Sequence, residues 1–223
     1  MDMNTLLSIP LSYLIGSIPS GLLVVKAITG KDVRQIESGR TGGTNAMRAA
    51  GPIAGLFTAA LDILKGAAAV WLGESVFASP EWMVAVNGLM AIVGHNYSAF
   101  LIERNDNGKL HFRGGAGGAT TLGVAIGLWM NSWLVILPVA LLVYLFVGYA
   151  SITTISIALS TMGIFTVKAI NGVMPWVYAI LGAGSVVTVL IALRPNLKRL
   201  KEGTERRVEL LKRIFHPDKY KKS

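Results

Sequence analysis

Between Glu37 and Gly51 the chain reads ESGRTGGTNAMRAAG, a run dense in groups that bind phosphate. Ser38, Thr41 and Thr44 offer hydroxyls, Asn45 an amide, and Arg40 and Arg48 permanent charges with forked donors. Gly39, Gly42 and Gly43 let successive backbone N–H groups turn toward one anion. The competing reading is a solvated loop between apolar segments. A second run, Arg113 followed by Gly114, Gly115, Ala116, Gly117 and Gly118, has the composition of a phosphate-binding turn at a helix N-terminus. Its alternative is close helix packing through small residues. Two such runs point to a pair of substrates that both carry phosphate.

Three further side chains have chemical potential. His95 is the one histidine inside an apolar segment and the candidate general base; otherwise it is a histidine hydrogen-bonded within a helix bundle. Asp62 and Lys65 are three apart, so on a helix they share a face. They form either a structural ion pair or a site in which Lys65 turns to a bound anion. No second His, Asp or Glu accompanies His95 at ligand spacing, so no metal is expected.

Long apolar segments must position these groups. Of 223 residues 52% are hydrophobic and 15% charged, with a mean hydropathy of +0.56. This is the composition of an integral membrane protein. The absence of cysteine excludes disulfides, thiol catalysis and Cys-ligated metals. The spacing predicts an all-α polytopic fold with seven transmembrane helices, Asn4–Val25, Ile53–Trp71, Trp82–Ile102, Gly117–Met130, Trp133–Tyr149, Ile152–Ile170 and Trp176–Leu193. Met1 to Pro10 carries no Lys or Arg, so the first segment reads as a mature helix and not a signal peptide.

Nineteen of the 21 Lys and Arg residues fall in the first and third loops and in the tail. The positive-inside rule then places the N-terminus outside and the C-terminus in the cytoplasm. The net charge of +9 is accounted for in this way, and no nucleic acid is expected as a partner. With that orientation the two glycine-rich runs, the His95 end of the third span, the Ser151 end of the sixth and Asn196 after the seventh all meet on one face. A single shared site is the economical explanation. Residues 1–204 form the membrane domain. Residues 205–223 form a basic tail in which Val208, Leu211, Ile214 and Phe215 have the spacing of an amphipathic helix on an anionic leaflet.

Six blocks in register, SGRTGGTNAMRAAG, DILKG, GHNYSAF, FRGGAGGATTLG, YASITT and RPNLKRL, resemble the bacterial acyl-phosphate:glycerol-3-phosphate acyltransferases. The resemblance runs to about Glu205. It implies a seven-helix enzyme of the bacterial inner membrane that moves a fatty acyl group from acyl phosphate to the 1-hydroxyl of glycerol 3-phosphate. Lysophosphatidate and phosphate would be the products, no cofactor is needed, and the site faces the cytoplasm. The implied partners are the two substrates, the lipid bilayer and, as a further candidate, the enzyme that forms acyl phosphate.

Carried over by matching positions, Ser38, Gly39, Thr44, Asn45 and Arg48 hold phosphate. Gly114, Gly115 and Gly117 match the second glycine loop, Lys65 and His95 lie in matching blocks, and Ser151 and Asn196 line the same face. In that family a substrate phosphate takes the proton of the attacking hydroxyl, so no protein base need stand out. The departures from the family pattern are Arg40 for an Asn, Gly43 for an Ala, Ala116 for a Lys, Leu193 for a His, Thr154 for a Ser, and an insertion over Glu103 to His111. Arg40 is the expected replacement for the missing cation, with Arg113 a further candidate. The other classes left open are a paralogue that acts on another acceptor or only binds a phospholipid head group, and a transporter.

Overall fold

The computed structural model describes residues 3–104 and 108–208. The proposed amphipathic tail therefore lies, beyond Val208, outside the described residues. Ten α-helices are present among them, broken where proline or glycine requires it. A short α1, Met3–Leu6, leads into α2, Ser8–Ser17, and α3, Ser20–Thr29. The residue before a proline is pushed out of the helical region, and Ile18, ahead of Pro19, has φ −54° and ψ 118°. Gly30 closes α3 with φ 71°, its N–H donating to Lys26 O. The first phosphate-binding run contains α4, Gly43–Ala50, and Pro52 then starts α5, Pro52–Trp71, from its first turn. The remainder is α6, Glu81–Asn96, α7, Gly118–Leu128, α8, Trp133–Leu142, α9, Ala150–Ile170, and α10, Trp176–Lys201.

Among the described residues six segments are long and apolar enough to cross a membrane: Ser8–Thr29, Pro52–Val76, Glu81–Leu101, Met130–Val147, Ala150–Ile170 and Trp176–Lys201. The expected fourth span, Gly117–Met130, is represented by the 11 residues of α7, about 16 Å against the ~30 Å of a hydrocarbon core. Its side chains from Gly118 to Ala125 are almost all buried against α5 and α9, so its apolar character serves the interior of the bundle. Large apolar side chains instead cover the outside of the other helices, as at Leu134, Leu137, Leu141 and Phe146, the pattern of a surface solvated by lipid.

Small residues let these helices touch. A Cβ on Gly16 would lie 2.2 Å from Ala91 O, and one on Gly94 would lie 2.2 Å from Tyr13 O, so α2 and α6 pack backbone to backbone. Gly66 and Gly123 do the same for α5 and α7, facing Thr120 O and Ile63 O.

The all-α expectation is corrected at one place. Ile102–Arg104 (β1) and Leu110–Phe112 (β2) pair antiparallel, Ile102 opposite Phe112, Glu103 opposite His111 and Arg104 opposite Leu110. The insertion seen in the sequence is this hairpin. In the connection between the strands Gly108 has φ 71°, the left-handed region that glycine adopts without strain.

Candidate active site

One cavity of about 470 Å³ collects most of the groups singled out above. Ser38, Arg40, Thr44, Asn45, Arg48, His95, Gly117, Ser151 and Asn196 all line it. The first residues of two helices contribute as well, Gly42 to Asn45 from the start of α4 and Gly117 to Ala119 from the start of α7. Helix N-termini carry unpaired N–H groups and a partial positive charge, so both favour an anion here. Arg48 and Arg199 line it too and form no ion pair with a carboxylate among the described residues. Met47, Ala59, Ile63, Leu122, Leu137 and Ile157 add apolar lining. A lining that combines cations with apolar side chains accommodates an amphiphile with an anionic head.

Arg40 is tied down on three sides. Its Nε donates to Asn196 Oδ1 at 3.1 Å, its Nη1 to Gly115 O at 2.7 Å, and its Nη2 to Ala192 O. One guanidinium thereby joins the second glycine loop to α10. Burial, and secondarily the neighbouring Arg199, pushes its pKa down, but an arginine starts high enough to remain charged at neutral pH. The two positions at which the resemblance implies a Lys and a His, Ala116 and Leu193, lie together. Ala116 packs on the cluster formed by Ala158, Val189 and Leu193.

His95 is buried at the end of α6, with Nδ1 3.5 Å from Asp62 Oδ1. Gly115 N–H donates to His95 O at 2.8 Å, which lays the glycine loop over the imidazole. Asp62 is on the cavity wall, whereas Lys65 stands behind it. Lys65 Nζ pairs with Asp62 Oδ1 at 2.9 Å and donates to Ile18 O at 2.8 Å, a carbonyl at the α2–α3 break. The ion-pair alternative for Lys65 is therefore the one seen. Removing one partner of a buried pair leaves an uncompensated charge worth about 3–5 kcal/mol. Asp62→Asn is expected to lower the thermal unfolding midpoint in detergent markedly, and Asp62→Leu combined with Lys65→Met to recover most of it. Equal midpoints for the single and double variants would contradict this.

The remaining sequence candidates are placed beside the cavity and not on its wall. Gly39, with φ 67°, turns the first loop next to Arg34 O. Gly114 O accepts from Thr41 N–H at 3.4 Å, joining the two glycine runs. Arg113 is directed to Glu103, Nε to Oε2 at 2.7 Å, and Glu103 in turn pairs with Arg34. Arg34 also binds Asp32, and its guanidinium holds that carboxyl below the ordinary aspartate range. Arg113 is thus paired with a carboxylate and does not line the cavity. Asn45 lines the cavity, but its Nδ2 donates to Val33 O, Ile36 O and Arg40 O, which shapes the loop.

Several wall residues lie outside the sequence candidates. Asp62 was visible only as a partner for Lys65. Arg199 follows Asn196 by three residues on α10, a spacing that puts both on one face. Glu205 folds back so that its carboxylate accepts from Ser151 Oγ at 2.8 Å and from Asn196 Nδ2 at 3.0 Å, and Arg206 pairs with Glu37. No local pattern marks these long-range contacts.

A family model described as glycerol-3-phosphate acyltransferase matches residues 6–203. A glycerol-3-phosphate acyltransferase of Thermus thermophilus is 37% identical over 198 residues, covering 89% of this chain and 92% of that protein. Glycerol-3-phosphate acyltransferase 1 of Deinococcus radiodurans is 37% identical over 216 residues, 93% of this chain and 98% of that one. Among solved structures, the glycerol 3-phosphate form of PlsY (YgiH), described as an integral membrane glycerol 3-phosphate acyltransferase, superposes with a TM-score of 0.79. It is 28% identical and covers 96% of this chain and 100% of its own. The lysophosphatidic acid form of the same protein gives 0.77 at 27% identity, with the same coverage of both chains.

Proposed function

The chain belongs to the glycerol-3-phosphate acyltransferase family, and from that premise we propose that it transfers a fatty acyl group from acyl phosphate to the 1-hydroxyl of glycerol 3-phosphate. The single observation that carries the proposal is the amphiphilic cavity, whose lining combines cations and two helix N-termini with apolar side chains. Glycerol 3-phosphate brings one phosphate to the cations and acyl phosphate brings the second, with its chain against the apolar side chains. The names of the relatives, and the two bound forms in which PlsY was solved, support acceptor and product.

The acceptor hydroxyl oxygen attacks the acyl carbonyl carbon. A C–O ester bond forms, the bond from that carbon to the phosphate oxygen breaks, and the hydroxyl proton leaves with the phosphate. An acyl phosphate is already activated, so holding the reactants and neutralising charge supplies most of the acceleration. Arg48 and Arg199 are assigned to the phosphates, with Ser38, Thr44 and the N–H groups at the starts of α4 and α7. Arg40 holds Gly115 and Asn196 in place, and Ser151 belongs to the same wall. His95, braced by Asp62, is the second acceptor for the proton, favoured by the 3.5 Å approach of its Nδ1 to the carboxylate. Lys65 acts through Asp62.

We further propose that α7 completes seven crossings, with the N-terminus outside and the cavity toward the cytoplasm of a bacterial inner membrane. On this reading the basic tail beyond residue 204 lies at the inner leaflet, and acyl phosphate arrives from the enzyme that makes it. The test compares donors: purified protein with glycerol 3-phosphate and either acyl phosphate or acyl coenzyme A, read by mass spectrometry. Lysophosphatidate should form from acyl phosphate alone, and Arg48→Ala should lower the rate at least ~100-fold, the scale for losing one stabiliser of transition-state charge. Equal use of both donors, or an unaffected Arg48→Ala, would overturn the assignment.

A further inference from the structure

The hairpin β1–β2 has two unlike faces. Glu103 on the inner face is ion-paired to Arg34 and Arg113, opposite His111. The outer face carries Ile102, Phe112 and Leu110, with Phe100 just ahead of them, and these are 44%, 38%, 60% and 58% exposed. Arg104, across from Leu110, lies on that same face toward the turn. Three large apolar side chains on one side of a two-stranded sheet, with Phe100 exposed in the turn before it, are unfavourable in water, and such a sheet is marginal without something to pack on.

Where the hairpin is rooted identifies what covers it. Ser98 Oγ donates to Ser17 O at 2.6 Å, and Ala99 N–H donates to Ser17 Oγ at 3.3 Å. Ser17 lies within the apolar segment Ser8–Thr29. The apolar segment Glu81–Leu101 ends at the residue before β1, so the hairpin starts where that span leaves the apolar layer. Phe100, Ile102 and Phe112 continue its apolar surface, and Arg104, one residue pair closer to the turn, is placed where cations meet lipid head groups.

We propose that the outer face of the hairpin is an interfacial membrane-binding surface, seated at the boundary between acyl chains and head groups of an anionic leaflet. This rests on the reading of the long helices as membrane spans. The hairpin is joined directly to the catalytic wall. Arg113 N–H donates to Leu101 O and Ser98 N–H to Arg113 O, and the chain then enters Gly114 and Gly115. Contact with the leaflet therefore fixes the root of the glycine loop beside the place where an anionic amphiphile enters.

The chain has no cysteine, so single cysteines can be spin-labelled without further change. Ile102→Cys, Leu110→Cys, Phe112→Cys and His111→Cys are reconstituted in vesicles containing phosphatidylglycerol. Accessibility to oxygen and to a water-soluble nickel complex is then compared by electron paramagnetic resonance. Leu141→Cys on α8 is the reference for a lipid-facing span. The expected result is an alternation: positions 102, 110 and 112 favour oxygen as position 141 does, and position 111 favours the nickel complex. Arg104→Gln should bring the label at 110 closer to water. Equal nickel access at all four hairpin positions with position 141 in lipid would overturn the proposal while leaving the spans standing. Labels at 102, 110 and 112 shielded from both reagents would equally overturn it, in favour of a protein contact. Loss of the lipid signal at position 141 would place the failure in the spans.

Discussion

Replacing Gly115 by alanine is expected to lower acyl transfer at least ~100-fold, the scale on which a displacement of about 1 Å acts at a reacting centre. A Cβ at this position would lie 1.9 Å from His95 Nε2 and 2.5 Å from its Cε1. The imidazole has no spare room: its own carbonyl holds Gly115 N–H, and its Nδ1 faces Asp62. Either the ring turns away from the carboxylate or the glycine loop lifts, and in both cases the wall between the two phosphate-binding runs changes shape. Gly163→Ala is the matched control. Nothing lies within 4 Å of the Cβ it would add in α9, so it should keep full activity and gain about 0.5–1 kcal/mol of helix stability. Steady-state rates and unfolding midpoints of the two variants decide the matter. An active Gly115→Ala protein would mean that the loop does not rest on His95.

Arg40→Lys should cost nearly as much as Arg40→Ala, about 3 kcal/mol or ~100-fold in kcat/KM. Each hydrogen bond from a charged donor is worth about 1.5–3 kcal/mol. The guanidinium serves Gly115 O, Ala192 O and Asn196 Oδ1, which belong to a loop and a helix far apart in sequence. A lysine restores the charge but not the fork, and its point-like ammonium cannot reach all three acceptors. The loss should fall mainly on kcat, because Arg40 fixes the geometry of Gly115 and Asn196. Rescue by lysine to near the parent rate would show instead that Arg40 supplies only a positive charge.

These two residues also show how far the sequence could be read. Gly115 was recognisable because five small residues after Arg113 form a local pattern. Arg40 was recognisable because it stands inside the first phosphate-binding run. What neither pattern contained was the bond between them, since residues 40 and 115 meet only once α7 and α10 are packed. The same limit explains Arg199 and Glu205, whose neighbours are Asn196, Ser151 and Arg40 across the cavity. Hydropathy located the helices well because lipid-facing surfaces are apolar throughout. It did not give the length of α7, eleven residues and mostly buried, because burial inside a bundle selects the same apolar residues as contact with lipid. Lys65 was ambiguous for a related reason: its acceptor, Ile18 O, lies at the helix break before Pro19, where it also accepts from Ser20 N–H, and a charge in a span does not announce its partner.

The most direct measurement follows the fate of an acyl phosphate labelled with carbon-13 in its acyl chain, incubated with the purified protein in vesicles and with glycerol 3-phosphate. Acyl transfer in this cavity predicts that the label appears in lysophosphatidate, ester-linked at the 1-position, with one inorganic phosphate released per product. Release of phosphate at a rate independent of glycerol 3-phosphate, with the label recovered as free fatty acid, would contradict it.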